Sequence, residues 1–305
     1  MPLAHPITPH LWFDTQAREA AEFYCRVFPD ASIDSVTTLH DTPSGDCDIV
    51  SFTLAGQPFM AISAGPLFPL NPSISFFVHF DPSRDADARA HLDALWAQLV
   101  DGGQALMALD AYPFSARYGW VQDRFGVSWQ LMLVDAAAAP RPMIVPSLLF
   151  TGAAYGQAEA AGAFYRSVFD VSQAGLLIPY PAGMDPDRAG TVMYSDFRLG
   201  ERNWFAAMDS GHAHGFGFNE AISFVVPCRD QAEIDRYWAQ LSSVPEAEQC
   251  GWCKDRFGVS WQIVPASMNA IMASGDRAVI DRVTQAFLPM CKLDVAKIEA
   301  AARGN

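Results

Sequence analysis

The chain has 305 residues, half of them hydrophobic, with 20 Lys and Arg against 34 Asp and Glu and a net charge of −14. This length allows two domains of ordinary size, the few scattered basic residues exclude a nucleic-acid-binding stripe, and no apolar run approaches the roughly 20 residues of a membrane-spanning helix. Six cysteines are too few for a disulfide framework, and the opening Met-Pro-Leu-Ala-His-Pro has neither the basic nor the apolar region of a signal peptide, so the expected location is cytoplasmic.

Taken in chain order, Thr8–Phe13 is a short apolar run of strand type, followed by a helical stretch over Thr15–Phe28. Asp14 or Thr15 is the expected cap of that helix, and Ala20, Phe23, Tyr24 and Val27 form its buried face. Three strand-like runs come next, Ser32–Leu39, Asp48–Leu54 and Pro58–Ser63, with Gly45 and Gly56 in the turns between them. The pattern then restarts with a β-branched and aromatic strand, Ile74–Phe80, and an amphipathic helix over Asp85–Val100 that turns Leu92, Leu95, Trp96 and Leu99 inward. Asp101-Gly-Gly103 stops this helix. Strands at Ala105–Leu109, Gly119–Gln122 and Val127–Val134 follow, the last two joined by a turn at Asp123-Arg-Phe-Gly126 in which Gly126 supplies a positive φ.

The second half repeats the first. The octapeptide DRFGVSWQ occurs at Asp123–Gln130 and again at Asp255–Gln262. Pro9–Phe13 parallels Pro146–Phe150, Ala20–Phe28 parallels Ala161–Phe169, Ile74–Phe76 parallels Ile222–Phe224, and Trp96–Leu99 parallels Trp238–Leu241. The matches keep their order while their offsets change, which places insertions in the loops; the clearest is Ala111–Tyr118 in the first copy. The Ala- and Pro-rich Asp135–Pro142 reads as a linker, giving expected domains 1–138 and 139–305. The second carries an unmatched tail with helical spacing at Arg277–Phe287 and Asp294–Ala301.

Each copy therefore consists of two βαβββ units. That pattern, closing on D-x-x-G-x-x-x-Q, resembles the vicinal oxygen chelate superfamily of glyoxalase I, bleomycin-resistance proteins and extradiol dioxygenases. It resembles more closely the PhnB-like subfamily, often labelled 3-demethylubiquinone-9 3-methyltransferase-like. The residues that carry this likeness are Ile7-Thr-Pro9, Phe23-Tyr24 to Phe28, Gly56–Ala61, Asn71–Phe76 and Gly119-Trp120 to Gln130. In the second copy they are Phe164-Tyr165, Asn219–Phe224, Asp235–Trp238, Cys250–Pro265 and the tail at Lys292–Ala301. The resemblance implies an α+β fold: tandem glyoxalase/bleomycin-resistance-like domains whose four units form curved mixed sheets around cups, one cup per domain. Single-copy relatives commonly pair as dimers, so the duplication is expected to build a pseudo-dimer within one chain; a homodimer is the other option.

The resemblance also implies a cup-bound divalent metal held by His, Glu or Gln. Carried over position by position, the last-strand ligand falls on Gln130 and Gln262, the first-strand ligand on His10 and Ser147, the fifth-strand ligand near Ser75 and Ser223, and the fourth-strand ligand near Ala61 and Ala207. Amides and hydroxyls are poor ligands beside carboxylate and imidazole, so no catalytic metal and no cofactor are expected unless the two copies pool their ligands. Strand parity places Ser128, Gln130 and Met132 on one face and Trp129 beneath the helices. A small-molecule site is expected on His10, Trp12, Phe59, Ser75, Phe77, Trp120, Gln130, Ser147, Ser223, Trp252 and Gln262. The rival readings are an enzyme, either a metal-dependent lyase, isomerase or dioxygenase in the first-domain cup or a metal-free one using His10, and a structural or partner-binding module. Cys250-Gly-Trp-Cys253 matches C-x-x-C but reads as strand rather than as a helix N-terminus, which a redox thiolate needs. His212-Ala-His214 reads as a mobile polar loop and a lid over the cup. No glycine-rich cofactor turn follows a strand, so the methyltransferase label has no visible chemistry behind it.

Overall fold

A computed structural model describes residues 5–304; Met1–Ala4, with most of the segment read above for a signal peptide, lie outside the described residues. The first unit comprises β1 (Thr8–Phe13), α1 (Ala17–Val27), β2 (Ser32–Thr42), β3 (Gly45–Leu54) and β4 (Gln57–Ser63). The second comprises β5 (Ile74–Phe80), α2 (Ala88–Val100), β6 (Gln104–Tyr112), β7 (Ser115–Gln122) and β8 (Ser128–Leu133). The third repeats the order with β9 (Ile144–Phe150), α3 (Ala158–Val168), β10 (Gln173–Pro179), β11 (Val192–Leu199) and β12 (Asn203–Asp209). The fourth has β13 (Ile222–Cys228), α4 (Gln231–Leu241), β14 (Trp252–Lys254) and β15 (Ser260–Pro265), and the tail forms α5 (Ser267–Met272), α6 (Arg277–Phe287) and α7 (Val295–Arg303).

Two expectations change here. The fourth unit lacks one of its three closing strands: a short 3-10 turn at Pro245–Ala247 stands where β6 stands in the second unit. The first helix begins after Gln16, with no side-chain cap from Asp14 or Thr15.

Sheet pairing departs from one cup per repeat. The first sheet has the order β14-β15-β13-β1-β4-β3-β2 and the second β10-β11-β12-β9-β5-β8-β7-β6. The first unit thus shares a sheet with the fourth, through antiparallel β1 and β13, and the second with the third, through antiparallel β5 and β9. Each cup is a hybrid of the two copies. The cause is a matter of edges: β1 and β5, each at the end of its own unit's ladder, find their partners in the corresponding strands of the other repeat, which satisfies backbone groups that would otherwise be exposed.

The helix-covered faces of both sheets share one core. Phe59 of β4 meets Phe76 of β5 at 5.2 Å between ring centroids, and in the second repeat Phe205 meets Phe224 at 5.0 Å. The repeated octapeptide organises this core twice. The Asp123 carboxylate accepts hydrogen bonds from the Tyr24 hydroxyl and Trp129 Nε1, both at 2.8 Å, and from the Phe125 and Val127 amides. Asp255 does the same with Tyr165, Trp261, Phe257 and Val259. Arg124 and Arg256 lie over the rings of Phe23 and Phe164 at 4.2 and 3.8 Å, a cation–π contact that leaves the guanidinium wet. Gly126 and Gly258 have φ of +91° and +94°, a region costly to a side chain. The octapeptide therefore locks the first helix of each repeat to its last strand, with the Trp in the core and the Gln on the opposite face.

Candidate functional site

The strand registers gather the expected polar residues into two matched floors. In the first sheet His10 stands opposite Ser223, Gln262 Nε2 donates to Ser223 Oγ at 2.9 Å, and Trp252 is the cross-strand neighbour of Gln262. In the second sheet Ser147 stands opposite Ser75, Gln130 Nε2 donates to Ser75 Oγ at 2.8 Å, and Trp120 is the neighbour of Gln130. Sequence reasoning grouped His10 with Gln130 in the first-domain cup; the structure puts them in different sheets, because the units pair across the repeats.

Other expected residues divide in the same way. Trp12 joins the first cup, with Nε1 donating to the Gly65 carbonyl at 2.8 Å, and Phe77 joins the second. Phe59 does not line a cup. It is buried between Phe52 and Phe76 in the shared core, since its strand parity is that of Ala61. Ala61 and Ala207 likewise face the core, so the fourth-strand positions on the cup side are occupied by Ile62 and by Ala206 and Met208.

The two cups differ in what stands over them. Over the first lie α5 and α6: Ile280, Met272 and Phe287 cluster with Leu39, Cys47, Trp12, Ile49 and Ile62. The Thr37 hydroxyl donates to the Met272 carbonyl at 3.0 Å, and the Cys250 and Gly251 amides donate to the Met290 and Cys291 carbonyls. His10 is buried in the same cup, its ring 5.6 Å from that of Trp252 and its Nδ1 without a hydrogen-bond partner. Burial lowers its pKa from 6.5 to about 4, because the imidazolium would lose its hydration.

The second cup is open. It forms part of a cleft of about 2220 Å³. This exceeds the roughly 300–1000 Å³ of a typical ligand pocket because the cleft runs past the rim at Asp81 and Arg84 as far as Phe28 and Pro29. Phe77, Met107, Tyr118, Trp120, Met132, Tyr194 and Met208 form its inner wall. Most large hydrophobic side chains exposed on the described surface need no special account, but Phe114, Leu176, Ile178 and Met184 all border this cleft. Phe114 sits at the tip of the β6–β7 hairpin, the insertion seen in the first copy.

Polar groups in the cup are few and mostly paired. The Tyr118 hydroxyl donates to Gln130 Oε1 at 2.6 Å, and Trp120 Nε1 donates to Ser128 Oγ at 2.7 Å. Ser147 Oγ, fully buried below this layer, has no partner. Two buried charged groups are accounted for within the fold: Arg141 binds Asp196 at 2.7 Å and lies 3.9 Å over the Trp204 ring, and the Asp209 carboxylate accepts from the Gly156, Ala158 and Val192 amides. Burial holds the His79 imidazole below its ordinary pKa, and that ring bonds the Pro142 carbonyl at 3.0 Å. Burial raises the Tyr118 and Tyr194 hydroxyls, so both stay protonated.

Tyr118 was discoverable by parity, standing two residues before Trp120 on the same strand. Arg141 was not, since it lies in the linker and reaches the cup only through tertiary contact.

The other motifs resolve simply. Cys250 lies in a left-handed turn before β14 and Cys253 within it; burial raises both thiols, to about 11 for Cys250, the opposite of a redox thiolate. His214 Nε2 meets Ser210 Oγ at 2.8 Å, and His212 stands 3.8 Å from Asp187, at the rim of the open cup. Among the described residues no group of three or more His, Cys, Asp or Glu is placed to hold a metal ion. The cup floors' own donors are one imidazole each, His10 in the first and His79 in the second, with hydroxyls and amides, a set that does not fit the divalent cation of the resemblance. No helix of the described residues is long and apolar enough to cross a membrane.

The family model described as 3-demethylubiquinone-9 3-methyltransferase matches residues 5–132 and again 142–264. It stops before the tail helices, so the expected likeness of Lys292–Ala301 to the family is not part of the match. A PhnB protein from Bacillus cereus is 33% identical over 42% of this chain and 98% of its own, with a TM-score of 0.38. Glyoxalase I from Zea mays aligns over 86% of this chain and 92% of its own at 10% identity, with a TM-score of 0.50, a likeness of fold. No curated protein matches the chain.

Proposed function

The chain belongs to the 3-demethylubiquinone-9 3-methyltransferase family along both repeats, and from that premise we propose that it binds one small uncharged molecule in the open cup of the second sheet, without a catalytic metal. The observation that carries this reading is the convergence of otherwise exposed apolar side chains, Phe114, Leu176, Ile178 and Met184, on a cleft walled by aromatic rings and methionines. Such a wall favours a planar, polarisable molecule. A charged ligand would surrender its hydration to a largely apolar wall whose Arg141–Asp196 pair is already satisfied, and burying an unpaired charge is costly. Gln130 and Tyr118, both on the cleft wall, supply hydrogen bonds to an oxygen function.

Catalysis by methyl transfer has less support: both sheets are mixed, and no glycine-rich turn of the cofactor-binding kind follows a strand. The test is calorimetric titration with 2-naphthol, an uncharged ring with one hydroxyl, against ionised 2-naphthoate. One 2-naphthol is expected per chain, with 2-naphthoate at least about tenfold weaker (about 1.4 kcal/mol). Met208→Trp, which fills the cleft floor, is expected to abolish binding, while His10→Ala leaves it unchanged. Binding that survives Met208→Trp but is lost in His10→Ala would overturn the assignment.

A further inference from the structure

We propose that the first cup is a latent second ligand site, held shut by the chain's own tail and opened when α5 and α6 lift away. This rests on the reading that such cups bind small molecules. The strand registers make its floor the counterpart of the open one: His10, Ser223, Gln262 and Trp252 occupy the positions of Ser147, Ser75, Gln130 and Trp120. A complete floor is thus kept under a cover.

The cover differs in kind from the floor. The family match ends at residue 264, and α5 begins at Ser267, so the covering segment is an addition to the repeated fold. It meets the cup through apolar side chains, chiefly Ile280 and Phe287, and leaves the buried His10 Nδ1 without a partner. A buried polar atom normally finds a partner, and His10 Nδ1 is one of the few among the described residues that does not. The tail fills the apolar part of the site and not its polar point. The molecule that completes it is an uncharged ring carrying a hydroxyl or carbonyl: Trp12 and Trp252 stand 6.1 Å apart as an aromatic corner, and His10 is edge-on to Trp252.

The tail's hold on the cup itself is apolar packing with few hydrogen bonds. Its direct side-chain hydrogen bonds to β2 are Thr37 to Met272 and a long contact of 3.5 Å from Gln285 to the Asp41 carbonyl. The rest of the tail is held away from this cup: α6 packs on α5 and α7 through Val283, Met268, Leu293 and Ile298, and backbone bonds from Cys250 and Gly251 to Met290 and Cys291 tether its far end.

The test uses the full chain with 2-naphthol as probe. Ile280→Glu places a carboxylate against the apolar cup and is expected to release α6, read as faster hydrogen exchange over 277–287, and to raise the calorimetric stoichiometry from one to two. Adding Met208→Trp closes the open cup and leaves one site; adding His10→Ala as well removes that one. Where Ile280→Glu fails to fold, Ile280→Ala gives the same readouts at lower amplitude. A released tail with unchanged stoichiometry, or a tail that melts only with the whole chain in both variants, would overturn the proposal. If the parent chain binds no 2-naphthol yet Ile280→Glu binds one, the open-cup reading fails and the latent site stands.

Discussion

Replacing Asp123 by Ala tests the structural role assigned to the repeated octapeptide. The substitution strands four buried donors: the Tyr24 hydroxyl, Trp129 Nε1 and the Phe125 and Val127 amides. Each unsatisfied buried donor costs about 1–3 kcal/mol, so four cost about 4–8 kcal/mol after partial rehydration. Against this, burial raises the Asp123 pKa from 3.8 to about 6, which disfavours its ionised form by about 3 kcal/mol at neutral pH. The expected net loss at pH 7 is therefore about 1–5 kcal/mol, read by urea denaturation of parent and variant. Asp123→Asn gives the pH signature. In the parent, the folded state holds its proton up to about pH 6 while the unfolded state loses it near 3.8, so stability falls as pH rises through that window. Asparagine does not titrate, so the parent's stability relative to Asp123→Asn should drop by about 3 kcal/mol between pH 4 and 7. A variant Asp123→Ala within about 0.5 kcal/mol of the parent, or a difference that grows as pH rises, would refute the reasoning.

His10 has the opposite sign: its folded pKa near 4 lies below the unfolded 6.5, so the parent should lose up to about 3 kcal/mol relative to His10→Gln as pH falls from 6.5 to 4, measured by the same denaturation curves. A methyl group at Gly119 meets the Trp96 ring at 2.5 Å, so Gly119→Ala should cost about 1–3 kcal/mol by thermal denaturation. Thiol labelling at pH 7.5 should modify the exposed Cys291 first and leave the buried Cys228 and Cys253 untouched until the chain unfolds, as read by mass spectrometry of labelled peptides. Tyr118→Phe removes the hydrogen bond to Gln130 and should weaken 2-naphthol binding by about three- to tenfold in calorimetry, about 0.6–1.4 kcal/mol.

Periodicity located most elements to within a few residues, because strands and helices bury their faces at periods that residue type reveals. Parity from Gln130 correctly sent Trp129 into the core and Gln130 and Ser128 to the cup. Parity was not applied to β4 and β12: Phe59, expected at the ligand, and Ala61 and Ala207, near which the resemblance put a metal ligand, all face the core, one residue away from the cup face. The cross-repeat pairing was not legible. Two near-identical copies offer near-identical edges, and which edges meet is settled by the whole assembly rather than by either segment. The covered cup was equally hidden: the tail's helical spacing was plain, but amphipathic spacing says that a face is buried and not where. Arg141, placed by tertiary contact from a linker, left no local signal at all.

The most direct test of the account is a crystal structure of the unaltered chain with 2-naphthol at saturating concentration. The account expects one molecule per chain, in the second-sheet cup beside Trp120 and Gln130, with the tail still seated on the first. A molecule bound elsewhere on the surface, or seated over His10 while the open cup stays empty, would contradict it.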